Sequence, residues 1–160
     1  MRKPTVAGEG LRAADCLRVA IISRVKRNPY VDLLCEGLRQ PDLALAPEVV
    51  DGFSLGWVWR ERRRVDVVHI HWAELLFVYP SLARSLKRWV SVMLGVLLAR
   101  LAGIRLIYTV HNLQQHEGQR PTLARLGNAV LFALAQGVHV HDQDTADLLR
   151  LLGDLTVAEA

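Results

Sequence analysis

Asp66-Val-Val-His-Ile-His71 carries the strongest strand signal in the chain. Val67, Val68 and Ile70 put apolar groups on both faces of the segment, as a sheet covered on two sides requires. Working backwards, Leu17–Ile22 is a short β-branched run that empties into polar residues 23–28. Pro29 then opens a helix with Val31, Leu34, Cys35 and Leu38 at helical spacing, and Pro41 stops it. A weaker strand over 45–50 and a short helix over 54–64 complete the approach. Working forwards, a long helix over 81–101 is ended by Gly103. A strand over 105–110, a helix over 122–135, a strand over 138–141 and a last amphipathic helix over 143–152 follow. Strands and helices alternate about five times, which predicts an α/β, Rossmann-like domain: a parallel sheet with helices on both faces. Residues 1–16 read as a flexible tail and 17–160 as the domain. The chain is expected to end after its fifth helix, without a second domain.

The composition fits such a body. At 160 residues, 51% apolar and 22% charged, the chain has globular rather than disordered or fibrous usage and is long enough to bury one core. Its 20 Lys and Arg against 16 Asp and Glu leave a net charge of +4. The cations cluster. Arg60, Arg62, Arg63 and Arg64 form one group; Arg84, Lys87, Arg88 and Arg100 flank the apolar stretch 89–99. Such patches suit phosphate groups or an anionic lipid surface, or form a solvated helix face. The apolar stretch is shorter than the ~20 residues that span a bilayer, so its helix either lies on a membrane or packs in the core. No nucleic-acid role is expected, because the cations accompany no reading motif or stacking platform. Two cysteines, Cys16 and Cys35, with no C-x-x-C spacing, fit a reducing, cytoplasmic compartment. The N-terminus lacks the apolar core of a secretory signal.

Ligands of open parallel sheets bind beyond the carboxyl ends of the strands. The first strand empties into Ser23, Arg24 and Asn28, the third ends in His71, Trp72 and Glu74, the fourth in Thr109, His111, Asn112, His116 and Glu117, and the fifth in His141 and Asp142. His69, inside the third strand, reads as a core histidine donating to a backbone carbonyl. The pairs His69/His71 and His139/His141 each place two imidazoles on one strand face. With no H-E-x-x-H and no cysteine cluster beside them, no metal and no cofactor are expected. The patterns G-x-S-x-G, G-x-x-x-x-G-K-[ST] and G-x-G-x-x-G are absent as well, which removes most support for hydrolase, ATPase and dehydrogenase chemistry.

Three segments together resemble the N-terminal half of GT-B glycosyltransferases, in particular the family 4-like enzymes: Asp66 to Trp72, Gly103 to Glu117 with its His111-Asn112 and His116-Glu117, and Gly137-Val-His-Val-His-Asp142. Asn28-Pro29-Tyr30 also looks like that family. The resemblance runs from about residue 17 to 152. It implies an acceptor-side domain whose partner domain holds the nucleotide-sugar donor. His111 would lie beside the transferred sugar and stabilise charge as the nucleotide departs. Glu117 would receive or orient the attacking hydroxyl's proton. His71, Trp72, Glu74, Asn112, His116 and Asn28 would line a wall for a glycan or glycolipid acceptor. The family's E-x7-E pair and the basic clamp on the leaving diphosphate have no counterpart here, so the isolated chain is expected to be inactive unless a second subunit completes the cleft. The competing reading is a noncatalytic Rossmann-like module docking on a partner or on the inner face of the plasma membrane.

Overall fold

A computed structural model describes residues 16–25, 28–39, 44–111 and 120–140, and a strand at 157–159. The order is β1 (Leu17–Ile22), α1 (Pro29–Leu38), β2 (Leu45–Val50), α2 (Leu55–Glu61), β3 (Val67–His71), a 3-10 turn (Ala73–Leu76), α3 (Leu82–Leu101), β4 (Arg105–Val110), α4 (Pro121–Leu134), β5 (Gly137–Val140) and β6 (Val157–Glu159). The six strands form one sheet in the order β2-β1-β3-β4-β5-β6, every pair parallel. The α/β reading therefore holds.

One expectation is corrected: the chain does not finish on a helix, because β6 pairs with β5 through Val138↔Val157. Three residues with one β-branched side chain give no alternation from which to read a strand. The predicted helix over 143–152 and the tail at 1–15 lie outside the described residues.

Right-handed crossovers decide which face each helix covers. From β1 the chain moves one way to β2, so α1 lies on one face. All later steps move the other way, so α2, α3 and α4 lie on the opposite face. The core divides accordingly. Ala20, Ile22, Val68, Ile70, Leu106, Tyr108, Val110, Val138 and Val140 pack with Val58 of α2, Val92, Val96 and Ala99 of α3 and Leu131 of α4. On the other face Val19, Ile21 and Val67 pack with Val31 and Cys35 of α1. All five residues of β3 are buried, as expected of the strand at the sheet's centre. β2 is an edge strand, which is why it tolerates Pro47.

Two glycines set how closely the α2–α4 layer packs. A Cβ on Gly95 of α3 would stand 3.0 Å from Leu55 N and from Ser54 C, so α3 crosses the start of α2 backbone to backbone. A Cβ on Gly127 of α4 would stand 2.6 Å from Phe77 Cζ. Phe77 closes the 3-10 turn between β3 and α3, and α4 rests on its ring.

Candidate active site at the carboxyl ends of β3 and β4

Period-two alternation puts His69 and His71 of β3, Thr109 of β4 with His111 just beyond it, and His139 of β5 on the α1 face of the sheet. The register aligns His71 with Thr109 and Thr109 with His139. Going up that face, apolar Val67 and Ile107 give way to imidazoles and a hydroxyl, so polarity concentrates at the carboxyl edge.

His111, half-buried, is the hub. Its Nε2 lies 3.1 Å from Nδ1 of His71, a residue only 1% exposed. The Trp72 indole lies flat against the His111 ring, with centroids 3.8 Å apart and planes 6° apart. Tyr30 meets both imidazoles edge-on, at 5.5 Å from His111 and 5.7 Å from His71.

Each partner is delivered by a local device. Trp72 adopts a left-handed backbone, φ 46°, at the exit from β3, a conformation that costs an L residue about 1–2 kcal/mol. Tyr30 stands in the first turn of α1, where Asn28 caps the helix by accepting from Tyr30 N at 2.9 Å and Pro29 takes the first helical position. Asn28 thus holds the start of α1, and α1 carries Tyr30 to the histidines.

Below this cluster lies a buried polar relay. His69 Nε2 is 2.7 Å from the Thr109 hydroxyl, which also bonds Tyr30. His69 was expected to use a backbone carbonyl; the hydroxyl replaces it because Thr109 projects from the neighbouring strand on the same face. Burial, and secondarily the charges that His139 and His111 would carry, depress the His69 pKa to about 3, so it stays neutral. Burial pushes the Tyr30 phenol up, and the Thr109 bond pulls it part of the way back.

The structure thus brings together His71, Trp72 and His111 of the residues singled out from sequence. Asn28 is a helix cap behind them. Glu74 lies on the 3-10 turn, and its carboxylate adds to burial in raising the Tyr108 phenol on the opposite face of β4. Asn112, His116 and Glu117 lie outside the described residues. Sequence reading placed Thr109 at the end of the fourth strand but gave it no role, although the period-two step from Thr109 to His111 was the available signal, and it missed Tyr30 as a member of the cluster. Among the described residues no three His, Cys, Asp or Glu side chains gather as metal ligands would. Chemically, the cluster offers an imidazole that can take or give a proton or present partial positive charge, held rigidly by one imidazole and two aromatic rings.

No protein-family model matches the chain, and no solved structure does. Two curated proteins, both from Xanthomonas campestris pv. campestris and both named GDP-mannose:glycolipid 4-beta-D-mannosyltransferase, are 33% identical to it over 113 residues. The match covers 66% of this chain but only 30% of those proteins, so the chain spans less than a third of the length of the relatives. Over that segment the chain is similar to a glycosyltransferase.

Proposed function

We propose that the chain supplies the acceptor-side wall of a glycosyltransferase site, passing a hexose from a nucleotide-sugar to a glycolipid or polysaccharide acceptor. A second GT-B-type domain or subunit would hold the donor. The relatives' name makes GDP-mannose and a glycolipid the first substrates to try. The observation that carries the reading is the His111 imidazole, fixed by His71 and Trp72 at the sheet edge where parallel α/β folds collect ligands.

In this reading His111 stands beside the transferred sugar and meets the charge that develops as the diphosphate leaves. Trp72 presents its indole edge to the acceptor, while Glu74, Asn112 and His116 offer polar groups to hydroxyls. Glu117 takes or orients the acceptor's proton. His71 is too buried to line a wall, so its role is to position His111.

The test is transfer of labelled mannose from GDP-mannose to a glycolipid extract, by the chain alone and with whatever donor-binding polypeptide co-purifies from its host. Transfer by the pair that vanishes in His111→Ala is the expected result. Undiminished transfer in that variant removes His111 from the mechanism, and robust transfer by the chain alone removes the half-site reading. A noncatalytic docking module is the second reading, favoured by the outer surface of α3. Vesicle binding that survives His111→Ala, with no transfer in any mixture, would select it.

A further inference from the structure

The outer strip of α3 is aliphatic from end to end. Leu82, Leu86, Val90, Leu94, Leu97 and Leu101 follow one another at spacings of three or four, and each is 43–78% exposed. That spacing keeps them in one band along a helix of 20 residues, about 30 Å long. The opposite band, with Val92, Val96 and Ala99, already fills the core. A helix apolar on both its inner and outer faces has a second neighbour to satisfy. Scattered exposed leucines are ordinary, but a continuous row of six is not.

The charge around the row says what the neighbour is. α2, α3 and α4 together carry Arg60, Arg84, Lys87, Arg100 and Arg125 against a single carboxylate, Glu61, besides Arg88, whose guanidinium turns inward onto the Leu76 and Phe53 carbonyls. At the N-terminal end of the row three guanidinium groups gather on one tyrosine. Arg24 donates to the Tyr79 hydroxyl, Arg84 lies over its ring at 4.4 Å, and Arg120 donates to its carbonyl. On α2, Trp59 is exposed beneath the stacked Arg62 guanidinium. No helix of the described residues is long and apolar enough to cross a membrane.

We propose that the outer face of α3 docks flat on an anionic lipid bilayer, with the row from Leu82 to Leu101 at the acyl boundary and the flanking cations among the headgroup phosphates. An aliphatic strip with a cationic rim and almost no acid is the pattern of an in-plane interfacial helix. A protein partner would be expected to face aromatic or hydrogen-bonding anchors rather than an unbroken aliphatic row. α3 starts from the carboxyl end of β3, so this orientation leaves the carboxyl edge of the sheet opening sideways, along the membrane. The proposal does not depend on sugar transfer, and its test reads binding alone.

The test is flotation of the full 160-residue chain with phosphatidylcholine vesicles, with and without phosphatidylglycerol. Expected is co-flotation with the anionic vesicles that weakens with salt. Leu86→Glu with Leu94→Glu, both at exposed positions, should reduce partitioning at least about tenfold. Lys87→Gln, which leaves the apolar row intact, should reduce it roughly fivefold. Far-UV circular dichroism establishes that the variants are folded. No flotation of the unaltered chain, or flotation indifferent to all three changes, overturns the proposal. A lipid-indifferent chain that sediments as a dimer, dissociated by the glutamate pair, also overturns it and assigns the row to a second copy.

Discussion

His71 Nδ1 and His111 Nε2 are 3.1 Å apart, and a bond between two imidazole nitrogens needs one N–H and one lone pair. The tautomer of the buried ring therefore sets the tautomer of the ring at the rim, much as the partner of one histidine nitrogen governs the other in catalytic and metal-bound histidines. In nitrogen-15 NMR of the unaltered chain, both rings should show single-tautomer shifts at neutral pH, with a scalar coupling across the bond. His71→Asn keeps an amide near the Nδ1 position and should preserve the ordered His111 pattern. His71→Ala should average it and lower stability by about 2–4 kcal/mol, combining a lost buried hydrogen bond with a cavity. Averaged shifts in the unaltered protein would remove the bond from the account.

The stack of Trp72 on His111 rests on a strained backbone, since Trp72 has φ 46°. Substituting Trp72 removes the indole in every case, so variants can be compared for backbone alone. Ordinarily glycine is less stable than alanine; here the left-handed conformation reverses the order. Trp72→Gly should be more stable than Trp72→Ala by about 1 kcal/mol in urea unfolding. The usual order, alanine above glycine, would show that this turn is not held left-handed in solution.

These two relationships mark the boundary of what could be read in advance. β1 and β4 were legible to the residue because a β-branched or apolar run meets clear punctuation at both ends, and β3 to within one residue. That His71, Trp72 and His111 would come near one another was legible too, because parallel strands deliver their carboxyl ends to one edge. The flat indole was not, since it depends on a positive φ at a tryptophan, which no local pattern signals. Nor could the sequence sort the two apolar faces of α3. Leu94 and Val96 look alike on paper, and only the position of the sheet makes one outer and the other core. β6 gave too few residues to leave a pattern.

Packing of the helical layer makes opposite predictions for three glycines. Alanine gains up to about 1 kcal/mol over glycine inside a helix. At Gly127 and Gly95 the added methyl meets, respectively, the fully buried Phe77 ring at 2.6 Å and backbone atoms of residues 54 and 55 at 3.0 Å. Overpacking costs about 1–3 kcal/mol, so Gly127→Ala and Gly95→Ala should each come out less stable than the parent chain. Gly37 of α1 has nothing within 4 Å of its would-be Cβ. Gly37→Ala should therefore gain roughly 0.5 kcal/mol. Melting all three in parallel checks the signs, and a gain at Gly127 would mean that α4 stands off Phe77.

Burial of His69 predicts how stability responds to acid. Its pKa falls to about 3 in the folded chain from 6.5, chiefly through desolvation and then through the neighbouring His139 and His111. Between those values the unfolded chain binds a proton that the folded chain refuses. The stabilisation is therefore complete above about pH 6.5 and drains away as the pH falls towards 3. The slope from this one group is at most about 1.4 kcal/mol per pH unit, reached in the middle of that window. His69→Gln places an amide nitrogen near Nε2, where it can still bond the Thr109 hydroxyl, but it does not titrate. Urea midpoints measured across the window should show a shallower acid dependence in that variant than in the parent. Parallel slopes would show that His69 accepts its proton in the folded state, and that the Thr109–Tyr30 relay beneath the site opens to let it.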